Sequence, residues 1–374
     1  MKKSYYSLAL ALLLCSSSFT LYAQDDISSI FKSGMADLNR VAEGYLKPAG
    51  NGFSAGLGSN WYNTAEVHKK FGFDLTFGVG AVQAPAEDRM FSITGLTNLR
   101  PTVAGTTEAP SFAGSGNGIG LELMQPKYLT DGTTQNPLWD NGNGKITSFT
   151  TPGGVSRYVP AASIQLTLGL PFINDVSLRL VPAVTVKGFK TSEWGIGIKH
   201  NFKQWIPVVS ALPFDASFLL AYTKFDMKYT FPASAQITPD KLVSGGLDYI
   251  ADPSSSDYSD QAMNISANAV TANVIVSKNF LFITPYLGFG FTRSNFDLTM
   301  AGNYPTLGDP VKEGNTYKMQ INNMPDPVKI SQSELMPGAT IGLRAKILMV
   351  LSVHAQYTLQ KYPTAMVGLG FSFR

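Results

Sequence analysis

Residues 351–360 read LSVHAQYTLQ, and apolar and polar side chains alternate through all ten positions. The odd-numbered residues fall on one apolar face of a strand, and the even-numbered residues fall on one polar face. The same period of two recurs in residues 163–170, 283–291 and 335–347. This period is typical of β-strands that separate an apolar from a polar environment.

The alternation predicts an all-β fold with about twelve antiparallel strands, or fourteen as the alternative. Bacterial outer-membrane barrels have even strand numbers and connect consecutive strands up and down. The twelve strands are predicted near residues 52–62, 70–83, 89–98, 162–171, 175–187, 193–202, 213–231, 263–278, 282–300, 335–347, 350–361 and 365–374. A change of phase near Thr223 and Lys224 predicts a β-bulge there.

The first residues indicate export. A basic start and an apolar run at 8–14 precede Ala23, which predicts a signal peptide over residues 1–23. A lipoprotein cut before Cys15 is the alternative. If Cys15 leaves with the signal, the mature chain has no cysteine, which excludes disulfides and thiolate metal sites.

Composition narrows the class of protein. Charged residues are 15% of the chain, below the quarter that is usual in soluble domains. The net charge of +3 gives no electrostatic footprint for nucleic acid. No mature stretch approaches the run of about 20 apolar residues that a membrane helix needs. An exported, weakly charged chain of alternating strands therefore predicts a transmembrane barrel in contact with outer-membrane lipid.

A helical period precedes the strands. Apolar residues recur every three or four positions over 26–46, and Pro48 follows. We assign 24–50 to an amphipathic helix and 51–374 to the barrel. The apolar stripe must be buried, so the helix is expected to plug the barrel, to lie on its periplasmic rim, or to bind another protein.

Connection lengths predict the orientation. Long connections at 99–161, 232–262 and 301–334 fall at one end of the barrel, and tight turns fall at the other. This asymmetry predicts extracellular long loops and periplasmic N- and C-termini. Trp205, in the longer connection at 203–212, suggests a short interfacial turn or helix.

The polar strand faces are predicted to line the lumen. Their charged or titratable members are Arg179, Lys187, Lys199, Asp215, Lys224, Asp226, Lys228, Arg344, Lys346 and His354. Charge at bilayer depth must face protein or water. Two interpretations stay open: a wetted lumen with mild anion preference, or a filled interior in which these groups pair for structure.

The last strand is predicted to close the barrel. Val367, Leu369, Phe371 and Phe373 alternate with glycine and serine up to Arg374. Their pattern resembles the closing strand that barrel-insertion machinery reads in outer-membrane proteins, which makes that machinery an expected partner.

Motifs for chemistry are weak. Residues 52–56 match G-x-S-x-G, but no strand-to-helix elbow is predicted at Ser54. His68, His200 and His354 lack predicted partners for catalysis or metal binding. Residues 140–144 only faintly match a calcium loop. We expect no catalytic residue, no metal and no cofactor, and therefore no enzyme.

Several stretches resemble a family of uncharacterised outer-membrane proteins of the Bacteroidetes. They are GLGSNWYNTA at 56–65, GFDLT at 72–76, WGIGIKH at 194–200, KQWIP at 203–207 and LPFD at 212–215. A looser likeness links the chain to FadL-type transporters, which also carry an N-terminal segment before their strands. The resemblance implies an outer-membrane barrel and assigns no functional residue.

The leading hypothesis for function is passive transport or a channel for small or hydrophobic solutes. The alternative is a structural or assembly barrel that binds a partner protein through its long extracellular loops. An outer-membrane hydrolase is the minor alternative.

Overall fold

A computed structural model of the chain describes residues 35–139, 144–172, 174–186, 188–207, 212–242, 249–251, 257–347 and 350–373. Ten strands form a closed antiparallel barrel, in which each strand pairs with the next along the chain and β10 pairs with β1. The strands are β1 (Phe73–Gln83), β2 (Tyr158–Leu170), β3 (Asn174–Val186), β4 (Phe189–Asn201), β5 (Asp215–Thr230), β6 (Ala262–Ser277), β7 (Ile283–Ala301), β8 (Val328–Lys346), β9 (Leu351–Leu359) and β10 (Thr364–Phe373).

The remaining elements are not part of the barrel wall. Helix α1 spans Met35–Leu57, and α2 is the single turn Pro239–Leu242. Two 3-10 turns cover Ala86–Asp88 and Lys203–Trp205. Short strands in the connections are Met90–Ser92, Leu99–Pro101, Glu108–Pro110, Gly120–Met124, Lys145–Thr150, Tyr249–Ala251, Asn303–Glu313 and Thr316–Pro325. Among the described residues, no helix combines the length and the apolar character needed to cross a bilayer.

The predicted counts of twelve and fourteen strands are wrong. Residues 52–57 belong to α1, and 89–98 contains only a three-residue strand that pairs outside the barrel. Glycine and serine alternate with larger residues over 52–58, so the segment imitates a strand. The ten other predicted strands match β1 to β10, and their number remains even.

The two ends of the barrel differ. The cap end carries the long connections 84–157, 231–261 and 302–327, together with two short ones at 187–188 and 360–363. The turn end carries the connections 171–173, 202–214, 278–282 and 347–350, the start of β1 and the end of β10. All three long connections therefore lie at one end, as the sequence predicts.

The outer surface of the barrel has an apolar belt. The outward side chains of this belt are large and exposed, and Phe289, for example, is 57% exposed. The belt includes the predicted closing residues Val367, Leu369, Phe371 and Phe373, which are about half exposed on β10. Apolar side chains directed outward all round a closed barrel suit contact with lipid.

Helix α1 enters the barrel from the cap end. Its first half packs among the cap connections, where Asp37 accepts from the backbone of Asn98 and Asn39 donates to the backbone oxygen of Pro327. Its second half packs against β2, β7 and β8 inside the wall. Residues 58–70, here called the strap, then run through the lumen to the turn end, where β1 begins.

The predicted boundaries of the helix and the barrel are therefore corrected. Helix α1 continues through Pro48 to Leu57, and the first barrel strand begins at Phe73 rather than residue 51. Pro48 cannot donate a backbone hydrogen bond, yet the surrounding wall and cap keep the chain helical.

The predicted β-bulge at Thr223 and Lys224 is also wrong. Strand β5 pairs with β4 and β6 in an unbroken register through these residues. Thr223 and Phe225 both face inward, because Thr223 bonds to α1 and the ring of Phe225 contacts Phe53. Lys224, Asp226 and Lys228 therefore face outward and do not line the lumen.

Candidate functional site: the filled lumen and its cap

Small residues allow α1 to approach the barrel wall closely. A Cβ atom at Gly50 would lie 2.6 Å from the ring of Phe296, and one at Gly52 would lie 2.8 Å from Val159. At Gly56 the nearest neighbour would be the Cβ of Ala161 at 3.0 Å. The glycines thus allow the backbone of α1 to contact the wall directly at this level.

The G-x-S-x-G match lies in this packed helix. Ser54 is fully buried, and its Oγ donates to the backbone oxygen of Asn295 at 3.4 Å. A nucleophile elbow needs an exposed serine on a strand-to-helix turn. The motif therefore serves helix packing in this structure.

Arg179 holds the junction between α1 and the strap. Its guanidinium donates to the backbone oxygens of Leu57 at 3.0 Å and Ser59 at 2.7 Å. The same group lies 3.8 Å from the centroid of the Trp61 ring. A cation at the C-terminal end of a helix satisfies its last carbonyls and complements the helix dipole.

His354 faces the strap one step further down. Its Nε2 lies 2.8 Å from Oδ1 of Asn60, whose amide nitrogen donates to Ser163 Oγ at 3.0 Å. Asn60 has a φ of 59°, a left-handed conformation that asparagine tolerates better than most residues. His354 therefore binds the strap and does not face open solvent.

Lys199 and Asp175 fasten the lower strap. The Lys199 ammonium lies 3.1 Å from Asp175 Oδ2 and donates to the backbone oxygen of Glu66 at 2.7 Å. His68 Nδ1 lies 3.1 Å from the same carboxylate oxygen. Asp175 is fully buried, so it depends on these partners.

Arg344 and Asp74 join the seam where the barrel closes. A buried contact of 3.2 Å links Arg344 on β8 to Asp74 on β1. Ser372 on β10 accepts from Arg344 at 2.7 Å and donates to Asp74. One network thus connects the first strand with the last.

The other predicted lumen residues are peripheral. Asp215 is half-buried at the turn end and accepts from Asn201 at 3.3 Å. Lys346 is exposed at the same end. Lys187 and the calcium-like residues 140–143 lie outside the described residues.

Little space is left between the strap and the wall. The cavity beside Tyr62, Thr271, Thr292 and Thr340 has a volume of about 20 Å³. A single water molecule needs about that much room. Within the described ranges, no group of three or more His, Cys, Asp or Glu side chains is arranged to hold a metal ion.

The cap is built on the first half of α1. The carboxylate of Asp37 accepts from the backbone N–H groups of Thr97, Asn98 and Leu99 at distances from 2.7 to 3.1 Å. One apolar core joins the helix to β7, β8 and the 302–327 connection through Leu38, Phe296, Tyr304, Ile321 and Ile330. The long connections therefore form a folded layer.

A second polar cluster links the cap to the helix. Asp88 contacts the Lys47 ammonium at 2.7 Å and accepts from the hydroxyl of Tyr362. Burial, together with the Asp88 carboxylate, raises the pKa of Tyr362 above its ordinary range. Sequence reasoning missed Asp37, Asp88 and Tyr362, because their partners lie 41 or more residues away with no local motif.

The sequence of this plugged barrel matches a known family over residues 1–373, described as a family of unknown function, DUF6588. The chain belongs to this family. A search of curated proteins found no match to this DUF6588 protein. The Bacteroidetes origin and the FadL-type likeness stay predictions.

Solved structures similar to the DUF6588 chain have very low identity. The attachment invasion locus protein Ail of Yersinia pestis is 9% identical, with 82% of this chain and 100% of Ail covered and a TM-score of 0.24. The translocator domain of autotransporter NalP from Neisseria meningitidis is 9% identical, with 86% and 92% covered and a TM-score of 0.27. The outer membrane protease OmpT from Escherichia coli is 7% identical, with 84% and 99% covered and a TM-score of 0.24. At these TM-scores and identities, the likeness assigns neither an activity nor a ligand to this chain.

Proposed function

We propose that this DUF6588 protein is an outer-membrane barrel with a closed lumen, and that its cap binds a partner protein outside the cell. The filled lumen carries the proposal. Helix α1 and the strap occupy it, and the cavity beside Tyr62 has room for about one water. A solute channel would need a continuous aqueous path instead.

We infer the orientation of the barrel in the membrane from the lengths of its connections. Long connections of outer-membrane barrels face the outside, so the cap is placed there and Phe373 at the periplasmic end. Helix α1 begins at the cap end, opposite Phe373. The prediction that both termini are periplasmic depends on residues 1–34, which lie outside the described part of the chain.

The construction of the cap supports a binding role. Its connections share a core with α1, and Asp37 fixes the backbone at 97–99. A surface held in one shape loses little entropy when it binds a partner. The exposed apolar residues Val103 and Val155 give this surface contact points.

Gated transport is the second candidate, and one observation favours it. The wall around the strap is polar at belt level, with Gln165, Thr167 and Thr340 facing inward. If the strap left, this wall would be wetted. Buried contacts between the wall and the strap, such as Asp175 with His68 and Lys199 with the backbone oxygen of Glu66, oppose that movement, because its buried charges would lose these partners.

A reversible lock distinguishes the two candidates. Cβ atoms at Gly56 and Ala161 would lie 3.0 Å apart, so a G56C/A161C pair can form a bond between α1 and β2 once the two elements separate by about 0.5 Å to reach the disulfide range. In planar bilayers we expect no conductance from the oxidised or the reduced protein. The single variants G56C and A161C are the controls. Conductance that appears only after reduction would support gated transport and reject the closed lumen.

Site-specific cross-linking tests the binding role. A photo-reactive residue at Val103 or Val155 should capture one saturable partner on intact cells, and the same residue at Leu281 on the turn end should not capture it. Equal capture from both ends, or none from the cap, would contradict the proposal.

A further inference from the structure

Three bulky apolar residues at the turn end have an unusual backbone conformation. Phe71, Phe172 and Leu281 have φ angles of 66°, 65° and 56°. Bulky side chains rarely adopt this left-handed region, which glycine accepts freely. Their side chains are nonetheless 76%, 86% and 91% exposed. The strain is therefore not offset by packing within the described chain.

Exposed apolar side chains occur around the whole circumference of the turn end. Each connection at the turn end, and the lead-in to β1, presents a large apolar side chain: Phe71, Phe172, Trp205, Leu281 and Ile347. These five residues form what we call the collar. A protein partner would contact one side of such a ring, whereas lipid surrounds it on all sides.

The collar continues the apolar belt. On β7 the outward residues run from Ile283 to Phe291, and the exposed residues Phe280, Leu281 and Phe282 precede them. Ten residues at about 3.3 Å each, tilted by about 40°, span about 25 Å, which is the height of a lipid-facing belt. Without the apolar residues 280–282 the belt would be about 5 Å shorter.

Basic residues accompany the collar. Lys70 lies 5.1 Å from the ring centroid of Phe71, and Lys278 lies 4.9 Å from that of Phe280. Lys203 and Lys346 occupy the same end. Lysines beside apolar anchors at an interface attract anionic headgroups.

From these observations we infer that the turn end lies in the headgroup layer of the phospholipid leaflet and binds anionic phospholipid through the collar and its lysines. The inference rests on the proposed membrane barrel. Strained residues at the three turns keep large apolar side chains where glycine or asparagine would suit the backbone better. The turns therefore set the depth of the barrel in the bilayer.

Single cysteines can report the depth of the collar. The mature chain without residues 1–23 has no cysteine. F172C and L281C would each carry an environment-sensitive fluorophore, and V103C on the cap is the control, since Val103 is 69% exposed. In vesicles of phosphatidylcholine with phosphatidylglycerol, headgroup spin labels should quench the first two labels and spare the third. Labels at 172 and 281 that remain in water would overturn the inference. Burial that depends on protein concentration instead of lipid would indicate a second copy, and would also overturn it.

A glycine variant distinguishes a collar that binds lipid from one that does not, because the folding equilibrium constant should change in opposite directions in the two cases. F172G/L281G removes the backbone strain, so in the absence of lipid contact the folding equilibrium constant should rise a few-fold. If the collar binds lipid, that constant in vesicles should fall about tenfold. V103G is the matched control. An increase would overturn the inference.

The lysines are tested by lipid composition. Phosphatidylglycerol should increase the affinity of the wild type for vesicles. In K70Q/K278Q this increase should be smaller by a factor of about five for each lysine removed. K329Q, at the cap end, should keep it. An unchanged gain in K70Q/K278Q would reject the lysine contacts. Failure of the wild type to form a heat-modifiable barrel in any vesicle would instead contradict the proposed membrane barrel itself.

Discussion

The barrel at belt level and the barrel near the cap have opposite interiors. On β7, Phe289 faces outward and Thr292 faces the lumen at belt level. Closer to the cap on the same strand, Phe296 faces inward and Asp297 faces outward. The strand keeps one phase throughout, so the reversal reflects a change in what surrounds it.

The comparison marks the upper edge of the membrane. In one register, the outward residues Lys224, Asn268, Asn295 and Ser333 form a polar row across β5 to β8. Below this row the outside is mostly apolar, and above it the outside is polar. The inside changes in the opposite sense, because polar groups of the strap and wall bond to each other at belt level, beside a small apolar cluster around Trp61 and Ile275, whereas the cap core is apolar.

The largest effect should come from breaking the polar interior. Asp175→Ala leaves Lys199 and His68 without their shared carboxylate in the buried lower lumen. We expect a loss of about 3–5 kcal/mol in the free energy of unfolding. Urea titration in detergent micelles measures it. Glu334→Ala, which breaks the more exposed contact with Lys361, is the control and should cost no more than about 1 kcal/mol.

The apolar interior near the cap can be broken on the same strand. Phe296→Ala removes a buried ring against α1 and should cost about 3 kcal/mol. Phe289→Ala removes an outward ring from β7 and should have little effect in micelles. Similar losses in the two variants would show that the faces of β7 are assigned incorrectly.

A charge introduced on the outer surface can locate the upper edge of the membrane more closely. Leu287→Lys places an ammonium in the apolar belt and should cost about 2–4 kcal/mol in vesicles. Asp297→Lys, on the same face of β7 but above the polar row, should be nearly neutral. Folding titrations in vesicles compare them, and equal costs would move the edge of the membrane.

The smallest effect concerns the cap. Tyr362→Phe removes one buried hydrogen bond to Asp88 and should cost about 1 kcal/mol near neutral pH. Because the pKa of Tyr362 is raised in the folded state, its contribution is complete below about pH 10 and is lost as pH rises further. The difference between variant and wild type should therefore shrink above pH 10. A difference that grows with pH would contradict this assignment.

Much of the fold is readable from alternation. The ten barrel strands and the outward side of β10 follow from a period of two, and the end with the long connections follows from the lengths of the segments between strands. The segment 52–58 could not be read this way, because its small residues suit a helix only where a wall lies within 3 Å of them. Local sequence does not contain that wall.

The candidate site was readable in part. Arg179, Lys199, Arg344 and His354 were selected because charge at bilayer depth must avoid lipid. Their partners Leu57, Asn60, Glu66 and Asp74 were not, since each lies at least 122 residues from its partner in the chain. Lys224, Asp226 and Lys228 were misassigned because alternation cannot show where the membrane ends.

The threaded strap has a consequence for biogenesis. Residues 35–70 are made before any barrel strand, yet the ring around them is completed only when β10 pairs with β1. We therefore expect the insertion machinery to hold an open sheet until the leading segment occupies the interior. A ring sealed too early would leave that segment outside, with its buried polar and apolar partners unmatched.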